Sequence, residues 1–417
     1  MVETLVPHVE SLDSSLDLYQ EGYLFIKNRM DQLHTDLFTV NLLAQKVICI
    51  SGSEAAGLFY NPDLFLRSGA APKHVQKTLF GENAIQSMDG EEHLARKAVF
   101  LSLTSEEYQK KLVNLIQQEF PASVEKWEAA DQVTVFCEAK SILCKAACRW
   151  TGVPLEDSEV SSRAEEFSAM VDGFGGIGPR YFKGKIARGR TEDWIGRMID
   201  DVRSGKLKPE PDSGLSVMAM LKDANGIPVD AGTAAKELIN LIRPVVAVAT
   251  YIAFTALALH EHPEWKEKLM TEDDHAAEMF IREVRRYYPF TPFLGARVKK
   301  DFSWNQCEFK KGTLVLLDVY GTSHDERLWN NPNLFNPSRF QDKAVGPYEF
   351  IPQGGGDPAT GHRCPGEGVV TEVMKAFLNF FVNDIRYEVP AQDFSFRLDR
   401  IPTRPESGFI ITGVKGV

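Results

Sequence analysis

Apolar positions change their rhythm along the chain, and each rhythm predicts a kind of element. Near the N-terminus the pattern is short and mixed: KVICISG reads as a strand and SEAAGLFYN as a helix with Ser53 at its cap. From about Ser105 to Lys268 the spacing is helical, as in SEEYQKKLVNLIQQEFPASVEKWEA and TEDWIGRMIDDVRSG. The most apolar stretch runs from Asp230 to Leu259 and, unbroken, would be about 45 Å long at ~1.5 Å per residue. A helix apolar nearly all round must cross the middle of the molecule. After Lys299 the text shortens again. DFSWNQCEFKKGTLVLLDVYG reads as a hairpin, VVTEVMKAFLNFFVNDI as a last helix, and FSFRLDRIPTRPESGFIITGVKG as a terminal set of strands. The pattern predicts a mainly α protein with small β-sheets (α+β). No compositional break marks a linker, so residues 1–417 are expected to form a single domain.

Composition narrows the class. At 43 % hydrophobic and 25 % charged, with 26 Phe and 6 Trp, the chain has ample material for a core and is not disordered. With 31 Gly, 22 Pro and 6 Cys in 417 residues it is neither collagen-like nor a disulfide scaffold. A net charge of −11 argues against nucleic-acid binding. The basic segment RYFKGKIARGR, from Arg180 to Arg190, is expected to be a solvated loop. No secretory signal is visible, and no run reaches the roughly 18 apolar residues of a membrane span, so no transmembrane segment and a cytoplasmic location are expected. The cysteines are then expected to be reduced thiols.

The candidate chemistry begins at FIPQGGGDPATGHRCPGEG, Phe350 to Gly368. Glycines let this backbone close around a large group and aim amide N–H groups at one atom. Cys364 sits in it just before a helix, where the dipole favours a thiolate and a metal cation would complete it. The loop suits a haem thiolate; a buried structural cysteine is the other reading. Upstream, EVRR sets Glu283 and Arg286 one turn apart, where they can pair. HDERLWNNPNLFNPSRF brings Arg339, placed to join them and brace a loop under a cofactor.

These motifs, in this order and across essentially the whole chain, resemble the cytochrome P450 family. The resemblance implies a P450 fold, a haem b with Cys364 as axial ligand and metal-binding residue, and a meander at Asn330 to Phe340. It further implies that His93, Lys97, Arg297 and His362 reach the haem propionates. Two departures point to a branch. The Cys loop is lengthened around GGGDPAT, and the central helix has Arg243 and Pro244 where oxygen-activating members carry an acid and a threonine. Thr250 lies about 10 Å further along the axis and cannot replace them. A buried Arg243 requires an anion, from a distant loop or from the ligand, because nearby Glu237 lies on another face. Pro244 is expected to kink the helix beside it.

LINLIRPVVA, IREVRRYYPF and PQGGGDPATGHRCPGEG resemble most closely the fatty-acid peroxygenase branch, which oxidises long-chain fatty acids with hydrogen peroxide. The resemblance implies that Arg243 anchors the substrate carboxylate, which relays the peroxide proton, and that the carbons next to it are oxidised without a redox partner protein. It places Leu79, Phe80, Val171, Phe174, Phe290 and Phe293 along the tail channel. It puts Gln86 on the distal side, where glutamine accompanies hydroxylation and histidine accompanies decarboxylation. An O₂-dependent P450 acting on another acid, and a haem or fatty-acid binding protein without turnover, are the alternatives.

Overall fold

The apolar run is helical from Ala231 to Glu261, and the 18-residue stretch apolar enough to cross a membrane is 94 % buried inside the protein. It is a core helix. The structure, a computed structural model, describes residues 6–271 and 274–417. Helices surround the central one, and small sheets lie towards the two ends of the sequence. The largest hydrophobic cluster wraps the central helix, joining its Ile239 and Ile252 to Phe167, Ile195, Phe280 and Phe377 from four other helices.

The central helix is interrupted one turn beyond Pro244. It stays α-helical to Ala247, pauses at Val248, and resumes from Ala249 to Glu261. There the Val248 N–H bonds the Val245 carbonyl at 3.1 Å, a tightened turn in place of the i→i−4 bond to Pro244. Val245, Val246 and Ala247 are all buried, so packing carries the helix through the proline.

Five strands form the larger sheet, in the order Leu37–Leu42, Gln45–Ser51, Leu314–Asp318, Phe293–Val298 and Phe65–Leu66. Gln45–Ser51 and Leu314–Asp318 run parallel, with Val47 opposite Leu314. Alternation gives this sheet two covered faces: Ile48 and Ile50 enter one cluster, Val47 and Cys49 another. The expected hairpin pairs Phe302 with Phe309, and Asn305 and Gln306 turn it with φ of 45° and 62°.

Three local expectations change. The helix at Ser53 is preceded by Gly52 as its cap residue, and Ser53 caps nothing, because the chain turns there through a positive φ of 92°. Of the terminal set of strands, Ile410–Gly416 pairs with Val133–Thr134 and Ile385–Glu388. The stretch before it is irregular, held by local turns such as Ser395 on Asp393 and interrupted by Pro402 and Pro405. Arg180 to Arg190 is not a loop: it opens the Pro179–Arg203 helix, and Arg188 points inward and is buried.

Candidate active site

Glu283 and Arg286 meet as their spacing predicts. Both are fully buried, and the guanidinium donates to the two carboxylate oxygens at 2.8 Å each. Arg339 adds bonds of 3.1 and 3.0 Å to the same oxygens, and the Asn336 amide donates at 2.8 Å. Arg286 also donates to the carbonyls of Ser323 and Pro332, tying the Asp274–Tyr287 helix to the meander. A carboxylate so surrounded is satisfied, which is what makes its burial tolerable.

Arg285, the neighbour the motif reading passed over, braces the cysteine loop itself. It donates to Gln353 at 3.0 Å, Thr371 at 2.9 Å and Glu367 at 2.5 Å. Gln353 in turn accepts the Cys364 amide at 2.9 Å on its carbonyl. Cys364 lies just ahead of the Glu367–Asn379 helix. Burial raises its thiol pKa, although the Gly366 amide and the Lys97 charge pull the other way. A bound metal cation would favour the thiolate. Gly354, at φ 94°, could carry no side chain, since a Cβ there would stand 2.7 Å from the Tyr60 hydroxyl.

Beside this loop the Gly90–Leu103 helix presents His93 and Lys97. His93 stacks on His362 with ring centroids 4.0 Å apart. Lys97 donates to the carbonyls of Gly361, at 3.0 Å, and Arg363. Burial lowers the basicity of His93, to about 4, and of His362. Burial takes Lys97 down to about 8. Arg67 joins them, buried with its guanidinium over the Phe59 ring at 4.2 Å. Asp89 is the acid of this group. Burial alone would raise its pKa, but hydrogen bonds from His362 and the Arg67 and Ser68 amides hold it at about 2. Arg297 lies on the strand paired with Phe65–Leu66, opposite Leu66 and so beside Arg67, and donates to the Gly69 and Gly312 carbonyls and to Gln45.

On the central helix, Arg243 is buried and makes no hydrogen bond or ion pair among the described residues; its Nε is wholly enclosed. Burial and the nearby charge of Arg188 lower its pKa to about 9, so it stays charged at neutral pH. Glu237 does not serve it. That carboxylate takes Arg96 at 2.6 Å and the Ile85 amide at 3.0 Å. Asn240 donates to the Phe80 carbonyl at 2.9 Å and to Gln86 at 3.4 Å, leaving its own buried Oδ1 unpartnered. A donor and an acceptor without partners, one turn apart, mark a site shaped for a polar ligand.

The apolar candidates are spread over several elements. Leu79 and Phe80 end a π-turn, Gln76–Phe80, that packs against the central and Pro179–Arg203 helices. Val171 and Phe174 lie at the end of Val160–Gly173. Phe290 stacks on Tyr251 with centroids 4.6 Å apart, and Phe293 begins a sheet strand.

The family profile described as Cytochrome P450 matches residues 244–411. The solved structure of P450EX alpha (CYP152N1) with myristic acid is 40 % identical, covers 99 % of this chain and 100 % of its own, and superposes with a TM-score of 0.96. This chain is a cytochrome P450. The ligand-free structure of the P450 OleT is also similar, at 37 % identity, 99 % coverage of both chains and a TM-score of 0.96. A more distant relative is the beta-amyrin 28-monooxygenase of Kalopanax septemlobus, 23 % identical over 427 residues, 94 % of this chain and 86 % of that protein.

As a P450, the protein is an oxidoreductase whose fold takes a haem iron, and the residues present fit one. Cys364 offers the sulfur. Arg67 and Lys97 are buried cations with no salt bridge among the described residues, suited to carboxylates brought by a ligand. Tyr60, Arg67, Asp89 and Asn240 escaped the sequence reading. Each is far from Cys364 in sequence, and Tyr60 and Asn240, though inside SEAAGLFYN and LINLIRPVVA, show no spacing that marks them, whereas Arg285, adjacent to Arg286 in EVRR, was within reach.

Proposed function

We propose that this P450 uses hydrogen peroxide to hydroxylate long-chain fatty acids at the α and β carbons, with minor decarboxylation to terminal alkenes. The observation that carries the reading is Arg243: a buried guanidinium in the core helix that no carboxylate among the described residues neutralises. A fatty acid carboxylate supplies the missing anion bidentately. Clamped there, it also stands where a proton must be taken from and returned to peroxide, and the carbons nearest it are held closest to the reacting centre. Haem b, which Cys364 would hold, would activate the peroxide, itself the oxidant. Hydroxylation inserts one peroxide oxygen into a C–H bond and releases the other as water. Decarboxylation turns the acid and peroxide into alkene, CO₂ and two waters.

The relative solved with myristic acid supports the substrate class, and Leu79, Phe80, Val171, Phe174, Phe290 and Phe293 are the side chains proposed to line the tail channel. Each buried CH₂ contributes about 0.8 kcal/mol. His93, Lys97, Arg297 and His362, joined by Arg67, would hold the propionates. On this reading no redox partner protein is needed.

The test is incubation of the holoenzyme with myristic acid and peroxide. The expected products are 2- and 3-hydroxymyristate. Turnover only with an electron-donor pair and O₂ would sink the peroxide reading, and a spectral shift without product would mark a binding protein. Gln86 accepts from Asn240 through its amide oxygen and cannot shuttle a proton as imidazole does. Gln86→His is expected to raise the alkene share several-fold in the same assay; an unchanged ratio removes its steering role.

A further inference from the structure

The basic segment that opens the Pro179–Arg203 helix sends one of its charges into the protein. Arg188 is 2 % exposed. Its Nη1 donates to the Leu79 carbonyl at 3.0 Å, its Nη2 to the Phe80 carbonyl at 3.3 Å, and its Nε to Glu192 one turn on at 2.6 Å. Every nitrogen of the guanidinium is thus engaged, and two of the three hold adjacent carbonyls of one short segment.

That segment needs holding. Gln76–Phe80 is a single π-turn, closed by the Gly81 amide on the Gln76 carbonyl at 2.8 Å. Such turns are rare and occur mostly as single turns at functional sites. The Phe80 carbonyl is shared by Arg188 and by Asn240 of the central helix, so two helices grip one oxygen. Gly81 follows at φ 85°, and a Cβ there would come within 2.7 Å of Arg188 Nη2, so the sequence leaves room for the guanidinium. Close packing extends the grip: Gly184 stands against Gly173 and Thr78 with no space for a larger residue.

We propose that Arg188 is a specificity-determining positioning residue: by holding the Leu79 and Phe80 carbonyls it fixes where their side chains stand, and so how the tail of the substrate is gripped. This rests on the fatty-acid reading above. Among the described residues Arg188 bonds only backbone and Glu192, so it positions the tail through Leu79 and Phe80, while Arg188→Lys keeps the charge it places near Arg243.

The experiment titrates holoenzyme with a graded series of saturated fatty acids, following the haem absorption shift, and measures the 2- to 3-hydroxy ratio with peroxide. Wild type is compared with Arg188→Met and Arg188→Lys. Arg188→Met is expected to weaken binding of the preferred chain length about tenfold and flatten the length preference, with the haem spectrum retained. Arg188→Lys, which can hold one carbonyl, should fall between; it carries the test if Arg188→Met does not fold. An unchanged length profile and product ratio in a folded variant overturns the proposal alone. Wild-type protein that binds no fatty acid overturns the substrate reading, and this proposal with it.

Discussion

Replacing Arg243 by alanine is expected to lower kcat/KM for myristate and peroxide by about a thousandfold or more while leaving the haem spectrum intact. The magnitude combines two losses. A buried charge pair to the substrate accounts for about 2–5 kcal/mol, and the positioned carboxylate acts as a general acid–base worth about 10²–10⁴-fold. Stability should move in the opposite direction. Without ligand, Arg243 is a buried cation with no partner among the described residues, and removing it relieves a desolvation cost of about 1–3 kcal/mol. Substrate-free Arg243→Ala should therefore melt no lower than wild type, and wild type alone should gain melting temperature on adding myristate. Arg243→Lys keeps the charge but not the bidentate fork, and should recover only part of the rate. Full activity in Arg243→Ala, or a large loss of substrate-free stability, would contradict the anchoring role.

The second large effect concerns Glu283. Glu283→Ala is expected to cost about 3–5 kcal/mol and to yield little or no haem-containing protein. The carboxylate is 0 % exposed and is bonded by Arg286, Arg339 and the Asn336 amide. Removing it leaves two guanidinium groups without an anion, one of them fully buried. Glu283→Gln should recover part of the yield, because it still accepts hydrogen bonds while the charge is lost. Denaturant unfolding and the Soret absorbance of purified protein measure both. A Glu283→Ala variant as stable and as haem-loaded as wild type would show that the cluster braces nothing.

What the sequence made legible follows from the range over which each signal acts. The central helix, the hairpin and the Glu283–Arg286 pair rest on contacts between near neighbours, and periodicity or spacing reveals those. Cys364 was legible because glycines mark a loop built to approach something closely. The pause at Val248 was less so: a proline predicts a break, but the sequence does not say that it falls four residues on. Arg188 was misplaced for a related reason. A run of basic residues reads as a solvated face, and nothing local says that one in five turns inward to carbonyls more than a hundred positions away. Arg67 and Tyr60, and the partners of Glu237, belong to the same class of contact that only the closed chain creates.

The larger sheet carries a consequence for how the molecule comes into being. Gln45–Ser51 finds its second neighbour only in Leu314–Asp318, and Phe65–Leu66 finds its own only in Phe293–Val298. While the polypeptide emerges from the ribosome, those early strands wait, one edge bare, until three-quarters of the chain has been made. Arrested synthesis or a break in the gene before Phe293 would leave sticky, half-finished β structure. Such fragments should aggregate or be degraded instead of persisting as a smaller working unit.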